Sequence, residues 1–306
     1  MSYTTVTVSN NRGSTWRQYL SKLVDYKSIL LELTKFRITF FVSVTTFVGY
    51  ILHDGKIDFN FVLPTLGVLI LASGASALNE YQERNLDSKM KRTKHRPIPS
   101  GKISSNNALY TSFFLIFIGA VTLYLHSFLV MILGLFTLLW YNSVYTPIKK
   151  RTSLAIIPGS LVGALPPIIG WVASGGQIFD EKILVFALFM FIWQIPHFWL
   201  LMLIYDDQYK DAGFPTLSKL FSLDQITYIT FFWITILILS SSMISLVGLS
   251  STVISNSLLI VSGIVTLFFS VKVITQKRKE IYKKSFFLIN AYVLFILIVI
   301  SIENII

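Results

Sequence analysis

Long apolar runs separated by short charged islands organise this chain from about residue 36 onward. Runs of roughly 17–25 residues suit helices that cross a hydrocarbon core about 30 Å thick. They fall near residues 36–52, 61–80, 107–125, 127–146, 154–174, 183–205, 226–248, 252–273 and 285–303. The division of 107–146 rests on His126 and Ser127, the polar break in a stretch that would otherwise be one helix of about 60 Å at 1.5 Å per residue. That is about twice a bilayer core, so two helices joined by a tight turn are predicted. The pattern therefore predicts an all-α polytopic membrane protein with nine transmembrane helices in one bundle. Residues 1–35 are polar and Ser/Thr-rich, without the short apolar core and small-residue cleavage site of a removable signal peptide. They read as an amphipathic cytoplasmic lead-in, leaving 36–306 as the membrane domain.

Composition narrows the chemistry. With 54% hydrophobic and only 13% charged residues, the chain is too apolar for a soluble domain of this size. It has no cysteine, which excludes disulfides, thiol nucleophiles and thiolate metal ligation, so any chemistry uses oxygen and nitrogen groups. A net charge of +11 would suggest nucleic acid in a soluble protein, but here topology explains it and no nucleic-acid partner is expected. Counted against nine helices, 24 of the 26 Lys and Arg lie on one side, and only Lys56 and Lys182 lie on the other. A Lys/Arg bias marks the cytoplasm, so the N-terminus and the even-numbered loops are expected there and the C-terminus outside. A different helix count in the middle would destroy this partition.

Two charged islands then ask for an explanation. The first, "NEYQERNLDSKMKRTKHRP" at 79–97, places Asn79, Glu83 and Asp87 at i, i+4 and i+8, along one face if the second helix continues past the membrane boundary. The second, "YDDQYKD", ends the sixth helix with Asp207 and Asp211 again four apart. Carboxylates so spaced, without basic partners in the same row, repel one another unless a divalent cation sits between them. Mg²⁺ suits this, taking one or two carboxylates plus phosphate oxygens. The plainer reading is that these acids mark the solvated ends of two membrane helices. Two clusters on one side favour a metal site. Arg92, Lys94 and Arg96 stand beside the first island, and Lys149, Lys150 and Arg151 fill the fourth loop. The cytoplasmic bias accounts for part of them, and beside a metal they would form a clamp for a departing diphosphate.

These residues resemble the UbiA-type intramembrane prenyltransferases, a nine-helix family with Asp-rich motifs after helices 2 and 6, and within it the protohaem IX farnesyltransferase (haem O synthase) branch. Its pattern, about N-x-x-x-D-x-D-x-D-x-x-M-x-R-T-x-x-R-P, meets Asn79, Glu83, Asn85, Asp87, Met90, Arg92, Thr93, Arg96 and Pro97. "YTPIKKRTSLAIIPGSLVGALPPIIGW" resembles Y-T-x-x-x-K-R followed by G-x-x-x-G-A-x-P-P-x-x-G. "WQIPHFW" resembles W-Q-x-P-H-F, and "LTKFR" at 33–37 resembles L-T-K-P-R. The M-x-R-T-x-x-R-P and W-Q-x-P-H-F elements are the specific ones. Three positions depart from the pattern. Glu83 stands where the family usually has Asp, Asn85 where it often has another, and Phe36 replaces the usual Pro. Glu keeps the charge one methylene further out. Asn loses it, which would lower metal affinity or move the load to Asp87 and Asp207.

The resemblance implies farnesyl diphosphate, or a longer donor, bound through Mg²⁺ (or Mn²⁺) by Asn79, Glu83 and Asp87 on one side and Asp207 and Asp211 on the other. Arg92, Arg96, Lys149, Lys150 and Arg151 would neutralise the leaving diphosphate. Haem B would be the acceptor at a vinyl group. Partners implied are the lipid bilayer and haem A synthase or terminal oxidase subunits, in a prokaryotic cell membrane. His197, the one histidine deep in a predicted span, is either a buried imidazole bonded to a neighbouring helix or a haem-iron ligand. His53 and His126 fall in predicted outer loops and His95 among the basic residues, and none is assigned a role. Gly159 and Gly163 form a G-x-x-x-G expected to allow close packing. Pro158, Pro166, Pro167 and Pro196 are expected to bend or interrupt helices. The rival readings are the same chemistry on a quinone precursor or glycerol lipid, and a transporter. Transport sites usually sit near the bilayer midplane, whereas these acids lie at helix ends.

Overall fold

The computed structural model describes residues 26–306, so the part of the expected lead-in before residue 26 lies outside it, and residues 26–33 are helical. Among the described residues, nine helices are long and apolar enough to cross a membrane: α1 (Phe36–Asp54), α2 (Phe59–Asp87), α3 (Ser105–His126), α4 (Phe128–Ile148), α5 (Ser153–Ala173), α6 (Glu181–Asp211), α7 (Leu223–Leu246), α8 (Val253–Gln276) and α9 (Lys279–Ile305). The chain is a multi-pass integral membrane protein. The expected break between α3 and α4 is a single extended residue, Ser127 (φ −163°, ψ 142°). His126 Nε2 lies 2.8 Å from the Ala173 carbonyl and ties this turn to the end of α5.

Three helices outrun their predicted ends. α2 continues to Asp87 and α6 to Asp211, while α9 starts at Lys279. Apolar patterning marks where the hydrocarbon ends, but Glu, Gln, Arg and Lys propagate a helix well in water, so the backbone continues beyond it. Burial sorts the bundle: 78% of the apolar window of α5 is buried, against 22% for α3 and 17% for α4. α5 is therefore central, and α3 and α4 present Phe113, Phe114, Phe117 and Phe128 outward, as lipid-facing helices should.

α1 and α5 touch backbone to backbone. A Cβ on Gly49 would overlap the Pro167 carbonyl, and one on Gly170 the Thr46 carbonyl, so only glycine allows this crossing. Gly159 and Gly163 pack as expected, against the Tyr145 ring and the Gln194 amide. The prolines interrupt less than anticipated. α5 opens with a 3-10 turn, Ser153–Ala155, and Pro158 sits in the first turn of the α-helix that follows from Ile156, where its missing N–H is no loss; helix runs through Pro166, Pro167 and Pro196. The non-helical residue inside α6 is instead Tyr205 (φ −115°, ψ 17°), at the junction with the acidic segment.

At the opposite end of the bundle, Glu303 caps α8. Its Oε1 accepts the N–H groups of Ser251 and Thr252, both at 2.7 Å, and its carboxylate also accepts the hydroxyls of Ser250 and Ser251 at 3.0 Å. An anion at a helix N-terminus satisfies donors that the helix itself leaves unpaired.

Candidate active site

The continuation of α2 carries Asn79, Glu83 and Asp87 on one face, and all three are buried, with 1%, 4% and 3% exposure. Each meets a cation from a different segment. Lys35, just ahead of α1 and in the left-handed backbone region (φ 50°), donates from Nζ to Asn79 Oδ1 at 2.7 Å. The Asn79 amide donates in turn to Thr146 Oγ1 at 3.1 Å. Lys149 Nζ lies 2.7 Å from Glu83 Oε1 and 2.8 Å from Oε2. Arg96 Nη1 lies 2.7 Å from Asp87 Oδ2. The expectation of an acidic row without basic partners thus holds along the helix but not in space. Carboxylates this deep require counter-charges, and three other segments supply them.

Local structure explains how those cations arrive. Thr93 Oγ1 donates to the Asp87 carbonyl at 2.9 Å, and the fully buried Glu80 accepts the Ile98 N–H at 3.1 Å. These bonds fold the loop after α2 back onto the helix and bring Arg96 to Asp87. α4 ends in a π-helical turn, Trp140–Tyr145, a distortion often found at functional sites. Within it, Asn142 Nδ2 donates to the Ala75 carbonyl at 3.0 Å and to Gln82 Oε1 at 3.2 Å. That dock against α2 aims Thr146 and Lys149 at the row.

Other expected site residues stand apart. Lys150 is exposed and donates to the Gln82 carbonyl at 2.9 Å, and Arg151 is exposed. Arg92 links the two motif helices instead: its N–H donates to Gln208 Oε1 and its guanidinium to the Tyr209 hydroxyl, both at 3.1 Å. Its guanidinium also lies 5.1 Å from the Tyr205 ring centre. Beside it, Met90, Ala212 and Phe214 form a small apolar cluster. Asn85, where the sequence departs from its family, is exposed and off the buried face.

The second acidic motif does not converge on the first. Asp207 pairs with Lys279 Nζ at 2.8 Å with its side chain 74% exposed, and Asp211 is also exposed. Asp206 accepts from Ser218 at 2.7 Å and pairs with Lys210 at 2.6 Å. Asp206 and Asp207 line a cavity of about 320 Å³ with Lys277, Lys279 and Tyr282, and no member of the Asn79 row lines it. Among the described residues, no three His, Asp or Glu side chains gather as they would around one metal ion. The expected five-residue metal set is therefore divided: α6 leaves helical geometry at Tyr205, just before its acidic segment, and Lys279 meets Asp207 from the start of α9.

The first row alone nonetheless fits a hard cation. Glu83 Oε1 accepts no well-directed hydrogen bond despite its proximity to Lys149, and Asp87 engages Arg96 through Oδ2 only. Asp87 thus keeps Oδ1 for a ligand and Glu83 would offer Oε1 once Lys149 turns away, and Mg²⁺ typically takes one or two carboxylates when phosphate oxygens complete its shell.

Sequence reasoning missed Lys35. It belongs to the quoted "LTKFR", but nothing local separates it from other basic residues flanking a first span. Burial, then the charges of Arg96 and Lys149, pull its ammonium down to about 7, with Glu83 and Asp87 acting the other way. Lys149 differs. Burial disfavours its charge, but the Glu83 carboxylate outweighs this and holds it above the ordinary lysine range. Arg96 is likewise raised, with Asp87 overcoming burial. The result is a site with three basic groups, two paired with carboxylates and one with the Asn79 amide oxygen, that face the same buried row.

His197 lies two turns before the acidic segment of α6. Its Nδ1 is 2.8 Å from Asn290 Oδ1 on α9, so the expected bond to a neighbouring helix is present. Its ring centre sits 5.2 Å from Trp193, 5.1 Å from Phe198 and 4.7 Å from Phe286.

A model described as the UbiA prenyltransferase family matches residues 42–294. Among curated relatives, the Geobacter sulfurreducens protein named protoheme IX farnesyltransferase is 46% identical over 149 residues, 49% of this chain and 55% of that one. A Cytophaga hutchinsonii protein of the same name is 40% identical over 185 residues, 60% of this chain and 64% of the relative. The chain thus spans between half and two thirds of these relatives. A Christiangramia forsetii protein, also so named, is 32% identical over 287 residues, 91% of this chain and 93% of its own. Of solved structures, one concerning digeranylgeranylglyceryl phosphate synthase superposes with TM-score 0.74 at 17% identity, over 91% of this chain and 98% of that one. A UbiA homologue from Archaeoglobus fulgidus, described as bound to GPP and Mg²⁺, superposes with TM-score 0.64 at 13% identity, over 89% and 99%. At such identities the likeness concerns the fold.

Proposed function

The chain belongs to the UbiA prenyltransferase family, and from that premise we propose that it transfers a farnesyl group from farnesyl diphosphate to a vinyl group of haem B, giving haem O and diphosphate. The observation that carries this reading is the buried row Asn79–Glu83–Asp87, each member held by its own cation, Lys35, Lys149 or Arg96. The relatives' name supports haem B as acceptor. The A. fulgidus homologue's bound prenyl diphosphate supports the donor class.

In this reading, Lys149 and Arg96 release their carboxylates and Lys35 releases the Asn79 amide oxygen, and all three take the diphosphate oxygens, stabilising negative charge as the allylic C–O bond breaks. Glu83 and Asp87, with the Asn79 carbonyl, would hold Mg²⁺ (or Mn²⁺), which supplies further neutralisation of the diphosphate. Asp207 and Asp211 join from α6 once the Lys279 contact opens, and Arg92 holds that segment against the loop after α2. Lys150 and Arg151 steer the anion from the surface. The farnesyl C1 cation is taken by the electron-rich vinyl carbon. Water adds to the resulting carbocation and loses a proton, leaving a hydroxyethylfarnesyl side chain. The site lies at the cytoplasmic ends of α2 and α6 in a cell membrane, with the C-terminus outside and residues 36–306 forming the prenyltransferase domain. Haem A synthase or terminal oxidase subunits would receive the product.

Purified protein incubated with haem B, farnesyl diphosphate and Mg²⁺ should increase the mass of the haem and release diphosphate. Asp87→Ala should lose this while remaining inserted. Unmodified haem with the intact protein, or normal turnover in Asp87→Ala, would overturn the proposal.

A further inference from the structure

One hydrogen bond between α6 and α9 fixes the chemistry of the His197 imidazole. Asn290 donates from Nδ2 to the Phe286 carbonyl, one turn back on α9, at 2.6 Å. Its Oδ1 then faces His197 Nδ1 at 2.8 Å. Turning the amide over would set Oδ1 against a carbonyl oxygen at the same short distance, two acceptors with no proton between them. The backbone therefore decides which end of the amide meets the histidine. Oδ1 has only lone pairs to offer, so Nδ1 must carry the hydrogen. The ring's other neighbours, Trp193, Phe198 and Phe286, bring no negative charge that would hold a second proton. A neutral imidazole has one N–H, which leaves the lone pair on Nε2.

Nε2 makes no hydrogen bond among the described residues and is not sealed by packing, and His197 as a whole is half-buried. The three aromatic rings meanwhile limit the tilt of the imidazole. A fixed tautomer, a fixed ring and an available lone pair are what a metal-ligating histidine requires of its surroundings.

We propose that Asn290 is a positioning residue that holds His197 as its Nδ1–H tautomer, so that Nε2 binds the iron of the haem acceptor as an axial ligand. This rests on the haem-acceptor reading above and adds the coordinate that reading lacks, a fixed point for the macrocycle within the α6–α9 interface. The hydrogen bond also strengthens the imidazole as a donor, because Asn290 Oδ1 draws on the Nδ1 proton.

The test uses the full chain in detergent or nanodiscs. ¹⁵N NMR of the haem-free protein, with His197 assigned through His197→Gln, should show a protonated Nδ1 and an unprotonated Nε2; the reverse tautomer overturns the inference. Titration with haem B should give a histidine-ligated spectrum that His197→Ala loses. Asn290→Leu should weaken haem binding about 10–100-fold, the range for partners that orient a metal ligand, and lower the iron–histidine stretching frequency. Asn290→Leu with unchanged affinity and frequency would refute the positioning role. Wild-type farnesyl transfer to haem B is measured alongside. Its absence sinks the proposed function, whereas normal transfer with an unmoved spectrum in Asn290→Leu sinks this inference alone.

Discussion

Lys149→Met should be among the most destabilising single changes near the site. The substitution keeps the aliphatic stem and removes the ammonium, leaving Glu83, whose side chain is 4% exposed, without its counter-charge. Breaking a buried pair from one side costs about 3–5 kcal/mol, and since the Lys149 side chain keeps 25% exposure, the lower figure applies. About 3 kcal/mol is roughly a hundredfold in the folded-to-unfolded ratio. Adding Glu83→Gln removes the stranded charge, so the double variant should recover at least about 2 kcal/mol of that loss. The assay is denaturant-induced unfolding in detergent for wild type, both single variants and the double variant, with farnesyl transfer measured on each. Function should separate from stability, because the double variant regains its fold but lacks both the carboxylate proposed to hold the metal and the cation proposed to take the diphosphate, and so stays inactive. Lys149→Met with wild-type stability would show that the pair is not buried as described. An active double variant would show that neither residue serves the reaction.

Asn85→Asp should leave the Mg²⁺ concentration for half-maximal activity within about twofold, because the side chain points away from the row, whereas Glu83→Gln should raise it by about tenfold or more. A large gain from Asn85→Asp would place that position in the site after all. Lys35, lowered to about 7 from the ordinary 10.5, carries its charge below that pH and loses it above. Farnesyl diphosphate binding should therefore weaken as pH rises through 7, and Lys35→Arg should flatten the profile; equal slopes in both proteins would argue against a direct role. The unfolded chain keeps that lysine protonated up to about 10.5, so this residue also makes stability rise with pH between the two values. Glu303→Ala, which removes the cap on α8, should destabilise the protein by about 1–2 kcal/mol without changing turnover per folded molecule, as thermal unfolding and specific activity would report. A fall in turnover with unchanged stability would link that end of the bundle to catalysis.

The helix pattern was legible because hydrocarbon imposes one rule on every span, and even the one-residue break at Ser127 followed from it. The spacing of Asn79, Glu83 and Asp87 was legible for the same kind of reason, since a helix that continues keeps its face. What fell outside that logic was pairing between distant segments. Lys35, Lys149 and Arg96 reach the row from three loops, and only tertiary structure distinguishes them from Lys150 and Arg151, which have the same composition and different destinations. The separation of Asp207 and Asp211 from the row was equally hidden. It goes with pairing to Lys279, at the start of a helix more than seventy residues away, and with a non-helical residue, Tyr205, that no adjacent proline or glycine announces.

The glycine contacts between α1 and α5 have a mechanical implication. Helices that meet through side chains can slide, because rotamers change as one ridge passes another. Where Gly49 meets the Pro167 carbonyl and Gly170 meets the Thr46 carbonyl, no side chain lies between them to yield. α1 and α5 therefore behave as one rigid post, and Lys35, one residue before α1, is carried on that post. A motion that admitted the two large lipophilic substrates proposed above would then be made around that post, with Lys35 held still on it and the segment of α6 beyond Tyr205, which Arg92 joins to the loop after α2, lying outside it.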